Sequence, residues 1–353
     1  MIPYYTAQNF LFAELIHKIV NVNDIFYIIY PILIPLLIWA ISKTLFKKPF
    51  SLIAPLIYLV SPWGWYLAYA HSLYLFLLFL TFAVIYGVIL TNNDKVKLGN
   101  ILIIVAGGIA MYISSIFLIF IPLILLLLLI SKLVSFNQIK TSVIFLAILT
   151  FPIFININVS SFSAEVKIFE DPSLVNTANR YQGNASQDGF KNLARISENK
   201  YIFFAESLVL RYTTLLSPIA FFTPEYKLLG FSFSPPILFG FIIPFGFGLY
   251  KLLQKKETVK LLFISTVLVV PAILANEFAP LNRLILFFPI VLFIISHGIN
   301  ILFEAKNRST KYLLSLTIIL IIFQSLTVLN DLQHREKIRA ERYFGDKYQI
   351  TEP

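Results

Sequence analysis

Cysteine is absent from this chain, and with it any disulfide, thiolate metal site or cysteine nucleophile. Charge is scarce as well. Charged residues make up 13% of the sequence and hydrophobic residues 58%, a balance that excludes an ordinary soluble globular domain. Histidine is confined to His17, His71, His297 and His334, too scattered to assemble a metal cluster or a Ser/His/Asp constellation. Met1–Asp24 lacks a basic n-region followed by a small-residue cleavage site, so no cleavable signal is expected ahead of the first apolar run. Gly246-x-Gly248 lies inside an apolar run and not after a strand, which excludes a nucleotide loop and points to close helix packing.

What the chain does contain is ten apolar stretches of about 17 to 21 residues, a few shorter, each readable as a membrane span. They are Ile25–Ile41, Ser51–Tyr69, Leu73–Leu90, Leu98–Tyr112, Ser115–Ile130, Thr141–Ile157, Pro235–Leu253, Thr258–Ala275, Leu281–Leu302 and Lys311–Leu329. Every second connector is basic: Lys43, Lys47 and Lys48; Lys95 and Lys97; Lys132 and Lys140; Lys251, Lys255, Lys256 and Lys260; Lys306, Arg308 and Lys311. The short connectors of the other class carry only Arg283. The positive-inside rule therefore places the basic connectors in the cytoplasm and both termini outside the plasma membrane. The expected architecture is all-α and polytopic, with an N-terminal membrane region over residues 1–157, an extracytoplasmic loop over 158–234, a C-terminal membrane region over 235–329 and an outer tail over 330–353. The net charge of +10 is spent largely on orientation against anionic lipid, so membrane lipid is an expected partner and nucleic acid is not.

The outer loop divides in two. Asn158–Asn199 is polar and contains the turn-prone runs Glu170-Asp171-Pro172-Ser173 and Gly183-Asn184-Ala185-Ser186, which predict irregular structure. Tyr201–Leu216 is apolar on most sides but includes Glu206 and Arg211. Were it an eleventh span, the lysines at 251–260 would change sides, so it is expected to lie in the outer interface with its charges facing water. Asn9–Val20 predicts a second interfacial helix.

Candidate chemistry lies at the outer ends. Ser61-Pro62-Trp63-Gly64-Trp65-Tyr66, followed by Tyr69, His71 and Tyr74, reads as an aromatic interface belt; its functional reading is a platform for a sugar ring or isoprenoid, with Trp65, Tyr69 and His71 in contact. At Asn276-Glu277-Phe278-Ala279-Pro280-Leu281-Asn282-Arg283 a carboxylate and a guanidinium flank a tight outer turn. Arg283 suits a snorkelling anchor and equally a phosphate headgroup gripped by a planar fork. The early outer segment offers Glu14 and Asp24 as its only carboxylates for a general base.

The order of these pieces resembles the GT-C superfamily of membrane glycosyltransferases, in particular the phospholipid-carrier-dependent group related to protein mannosyltransferases and lipid A aminoarabinose transferase. The resemblance runs through Leu59-Val60-Ser61-Pro62-Trp63, Tyr112-Ile113-Ser114-Ser115-Ile116-Phe117, the loop from Asn179-Arg180-Tyr181 to Leu216-Ser217-Pro218, and Ala279–Arg283 through Phe288-Pro289 to His297-Gly298 and Arg342-Tyr343-Phe344. It implies a polyprenyl-phosphate-linked sugar as donor and transfer on the outer face. It also implies stabilisation of the leaving phosphate by Arg283 with Lys200 and Arg211 as helpers, and a carboxylate acting as base or holding a divalent metal. The family's first span and acidic outer loop have no counterpart before Met1-Ile2-Pro3-Tyr4-Tyr5, and Tyr69 stands near the place of a family arginine. The expectation is therefore of an upstream segment, or a partner supplying the acidic loop, or a degenerate member. The rival reading is a non-catalytic or transport role, as in a lipid-linked glycan flippase or polymerase; the near-absence of charge within the spans weighs against it.

Overall fold

A computed structural model describes residues 24–46, 50–64, 73–93, 95–113, 116–130, 134–156, 172–187, 199–217, 219–222, 236–255, 258–259, 262, 265–273 and 287–334. Those residues are helical with no strand among them, as the absence of period-2 patterning and the long apolar runs require. The helices are α1 (Asp24–Leu45), α2 (Ile53–Val60), α3 (Leu73–Asn92), α4 (Val96–Ile113), α5 (Ile116–Ile130), α6 (Phe136–Asn156), α7 (Pro172–Gln187), α8 (Lys200–Leu216), α9 (Ile219–Phe222), α10 (Ile242–Leu253), α11 (Val270–Ile273), α12 (Phe288–Glu304) and α13 (Arg308–His334).

Three helices are long and apolar enough to cross a membrane, over Leu75–Asn92, Val96–Ile113 and Arg308–Leu329. Shorter apolar helices run over Ile29–Leu45, Phe50–Val60, Phe120–Ile130, Phe136–Pro152, Phe239–Leu253 and Phe288–Glu304. One expected span is broken. The second, Ser51–Tyr69, is interrupted at Ser61, which is extended with φ −75° and ψ 123°, because the following Pro62 disfavours helical backbone at the residue before it. The described residues of the eighth, Thr258–Ala275, are all helical, with a 3-10 turn at Thr266–Val269 leading into α11.

The packing face of α1 is the stripe Tyr30, Ile34, Ile38 and Ile41, all buried, while Ile32 and Leu36 on the same helix are 60% and 52% exposed. The pattern recurs: Ile101 and Val105 on α4, Ile144, Phe145 and Ile148 on α6, and Ile319, Phe323 and Leu326 on α13 are large apolar side chains turned outward. The bundle is thus apolar on both its inner and outer faces. Several buried hydroxyls are satisfied within their own helix, as Thr81, Thr150 and Ser296 each donate to the carbonyl one turn back at 2.8 Å, a local solution open to Ser and Thr in helices.

Glycine sets the closest approaches. On α10 and α12, a Cβ at Gly248 would meet the Ile294 carbonyl oxygen at 2.1 Å, and one at Gly298 would meet that of Pro244 at 1.7 Å. Gly248 therefore has the packing role expected of the Gly246-x-Gly248 pair, whereas Gly246 has nothing within 4 Å. α3 and α4 approach in the same way at Gly87 and Gly99.

The segment over residues 158–234 corrects two expectations. Pro172–Gln187 is a helix, including the Gly183–Ser186 run expected to turn. Proline is favoured at the first helical position, and the apolar residues Val175, Ala178 and Tyr181 recur at helical spacing. Ala178 is buried, and the Tyr181 ring stacks on Phe203 of α8 at 5.8 Å and 17°. α8 is the predicted second helix, capped by Asn199, whose side chain accepts from the Tyr201 amide at 3.1 Å. Its charges do not all face water, however: Glu206 is exposed, but Arg211 is 3% exposed. The interfacial helix expected at Asn9–Val20 lies outside the described residues.

Candidate functional site

The two ends of the bundle differ in chemistry. At one end the basic connectors converge. Asn100, near the start of α4, donates to the Gln138 carbonyl at 2.7 Å, Gln138 reaches the Thr91 carbonyl at 3.4 Å, and Ser142 donates to the Asn100 side chain. These bonds tie the connector around Lys95 to the one before Lys140. Phe46 and Phe50 meet His297 and Phe303 at 6.4 and 6.2 Å between ring centres, which brings the connector after Lys43 beside the end of α12, just ahead of Lys306.

Between these connectors lies a cavity of about 580 Å³, bounded by Leu45 and Phe46, by Val88 and Asn92 of α3, by Phe120, Ile124 and Leu128 of α5, by Leu252, Thr258 and Ser265, and by Ile290, Phe293 and His297 of α12. Its size is that of a small-molecule or lipid-chain site. Ser265 spends its hydroxyl on the Leu262 carbonyl at 2.6 Å, so Asn92, Thr258 and His297 are the polar groups left on an apolar wall. His297 has Lys255 and Glu304 as its charged neighbours. The sequence signal for this site is His297, an ionisable residue within an apolar run, which the denser aromatic and charged motifs elsewhere outweigh.

At the opposite end the chain is stitched by backbone contacts. Ser61 Oγ and the Trp63 amide both donate to the Pro236 carbonyl, at 2.7 and 3.2 Å, and the Ile237 amide donates to Phe221 at 2.9 Å. Trp63 is buried edge-on against Phe288 at 5.0 Å and 80°, with Tyr58 on the same ring at 6.2 Å. Trp63 is therefore an internal wedge between the two halves of the chain, not part of an interface belt, because Ser61 and its fixed bond to Pro236 turn it inward.

Arg211 reaches from α8 to donate to the Ile273 carbonyl at 3.5 Å, and the neighbouring Tyr212 hydroxyl donates to Thr266 Oγ1 at 2.5 Å. Both bonds fasten α8 to the segment that leads to Glu277, four residues beyond Ile273, and on to Arg283. Lys200 is not part of that group. It sits exposed at the start of α8 with its ammonium 5.2 Å above the Tyr201 ring, and eleven residues of helix put it about 17 Å along the axis from Arg211. Asp24 is the first residue of α1. Glu14, Trp65, Tyr69, His71, Glu277 and Arg283 lie outside the described residues. Among the described residues no group of His, Asp and Glu side chains could hold a metal ion, so the divalent cation that the resemblance allows finds no donor set there. No protein-family model matches the chain, and no curated protein matches it in sequence.

Proposed function

We propose that the chain is a polytopic protein of the plasma membrane, of the GT-C glycosyltransferase kind, that transfers a sugar from a polyprenyl-phosphate donor to an acceptor on the outer face. The observation that carries this reading is the separation of charge between the two ends. The lysine connectors gather at one end, which the positive-inside rule makes cytoplasmic, while the buried guanidinium of Arg211 is fastened to the segment preceding Glu277 and Arg283. An apolar outer surface on nearly every helix is consistent with lipid as the solvent. In the proposed reaction the acceptor oxygen or nitrogen attacks the anomeric carbon as the bond to the carrier phosphate breaks. The acceptor proton passes to a carboxylate, for which Glu14 and Asp24 are the candidates, and the departing phosphate is stabilised by Arg283 with Arg211 behind it.

Topology is tested by single cysteines in this cysteine-free chain. A cysteine at Ser186 is expected to react with a membrane-impermeant maleimide in intact cells, and one at Lys255 only after permeabilisation; the reverse pattern would overturn the orientation. For the carrier site, Arg283→Ala is expected to weaken polyprenyl-phosphate binding roughly tenfold or more, the equivalent of losing a charge-assisted hydrogen bond. Arg283→Lys should fall between, because it keeps the charge and loses the fork. Equal affinity of wild type and both variants, measured on protein in nanodiscs, would reduce Arg283 to a helix anchor.

A further inference from the structure

The cavity at the basic end is not accounted for by transfer on the outer face. Three features define what fits it. Its walls are apolar over most of their extent, supplied by α3, α5 and α12. Its volume of about 580 Å³ is large enough for a hydrocarbon chain, and its apolar lining offers too few polar partners for a sugar or nucleotide. Its polar groups, Asn92, Thr258 and His297, adjoin the lysine connectors, which in sequence carry Lys43, Lys95, Lys97, Lys251, Lys255, Lys260 and Lys306 against the acids Asp94, Glu257 and Glu304. An apolar cavity whose lining residue His297 has Lys255 as a charged neighbour is complementary to an anionic amphiphile, and a cluster of lysines at the cytoplasmic surface is the usual reader of phosphate headgroups.

We propose that this cavity binds the tail of a bilayer lipid bearing a compact phosphate headgroup, with Lys255 and its neighbouring connectors holding the phosphate and His297 lining the passage between head and tail. The site is separate from the outer carrier site and stands whether or not the chain is a transferase. It would make the cytoplasmic-side packing of α3, α5, α10 and α12 depend on which lipids surround the protein, because each contributes to the chamber wall or to its mouth.

The test uses the full chain purified in a neutral detergent and a photoreactive diazirine analogue of hexadecyl phosphate, with the matching hexadecanol analogue as the uncharged probe. Adducts of the phosphate probe are expected on peptides containing Val88–Asn92 or Ile290–His297, competed by unlabelled hexadecyl phosphate. Ile290→Trp, which fills the chamber, is expected to cut labelling at least tenfold. Lys255→Gln is an exposed change that spares the fold, and it should reduce labelling by the phosphate probe several-fold while leaving the alcohol probe unchanged. Arg283→Ala, which bears on the outer site, should leave labelling at these peptides as it is. Adducts confined to other helices, or undiminished labelling of an Ile290→Trp protein that unfolds at the wild-type temperature, would overturn the cavity as the site. Equal labelling by the two probes, insensitive to Lys255→Gln, would overturn the phosphate headgroup.

Discussion

Gly298→Val is expected to be the most damaging single substitution in the bundle. A Cβ at this position would lie 1.7 Å from the carbonyl oxygen of Pro244 and 2.6 Å from its carbonyl carbon. Neither is a side chain that can rotate away, so α10 and α12 would have to separate along their length. Overpacking in cores that can adjust costs about 1–3 kcal/mol, and a backbone obstacle places this site at about 3 kcal/mol or more. The separation would also loosen Trp63, which packs on Phe288 of α12, and open the cavity wall formed by Ile290 and Phe293. Thermal unfolding in detergent should show a midpoint lower by several degrees, with aggregated protein on size exclusion. Gly246→Ala is the control on the same helix: nothing lies within 4 Å of the added methyl, and alanine's helix propensity makes it neutral or stabilising by up to about 1 kcal/mol. A Gly298→Val protein with the wild-type midpoint would show that the two helices do not cross at this point.

Arg211→Ala is expected to have the next largest effect, and on two measurements at once. Its guanidinium donates to the Ile273 carbonyl from a position 3% exposed to solvent. Removing it leaves a buried acceptor without that donor, at about 1–3 kcal/mol, and vacates the volume of a long side chain. Stability should fall by about 2–4 kcal/mol, and under the proposed function polyprenyl-phosphate affinity should fall with it. Arg211→Met separates the two effects. It refills the space without supplying a donor, so it is expected to restore much of the unfolding temperature and little of the carrier affinity. Full recovery of both by methionine would reduce Arg211 to a packing residue. Lys200→Ala provides the contrast, since its exposed ammonium rests over Tyr201, and both measurements should change little, within about 0.5 kcal/mol for stability.

Where sequence and structure diverge, the cause is a contact between segments distant in the chain. The sequence over Pro172–Gln187 signals turns because Gly183, Asn184 and Ser186 weaken helix in isolation. Its stability as a helix comes from Ala178 and Tyr181 packing on α8, a tertiary contact that propensity does not register. The turn-prone Asp171-Pro172 pair was equally a helix-start signature. The break at Ser61 was legible in the proline after it, but the inward turn of Trp63 was not, because it depends on Pro236, 175 residues away. Arg211 carries no mark in the sequence to distinguish a snorkelling arginine from a buried one; only the arrival of Ile273 beside it decides.

By itself the sequence determined the all-helical class, the positions of most apolar helices, the alternation of basic and bare connectors, and the glycine at 248 as a packing point. All of these follow from properties carried along the chain: hydropathy over a window, charge at fixed intervals, and the lack of a Cβ. The tertiary structure alone decided that Trp63 is a wedge and not a membrane belt, that Lys200 and Arg211 stand apart, and that the described cavity lies at the basic end and not beneath α7 and α8. Those features depend on which side chains from distant segments occupy the same space, and the volume left between helices is set by their crossing, which no single stretch of sequence encodes.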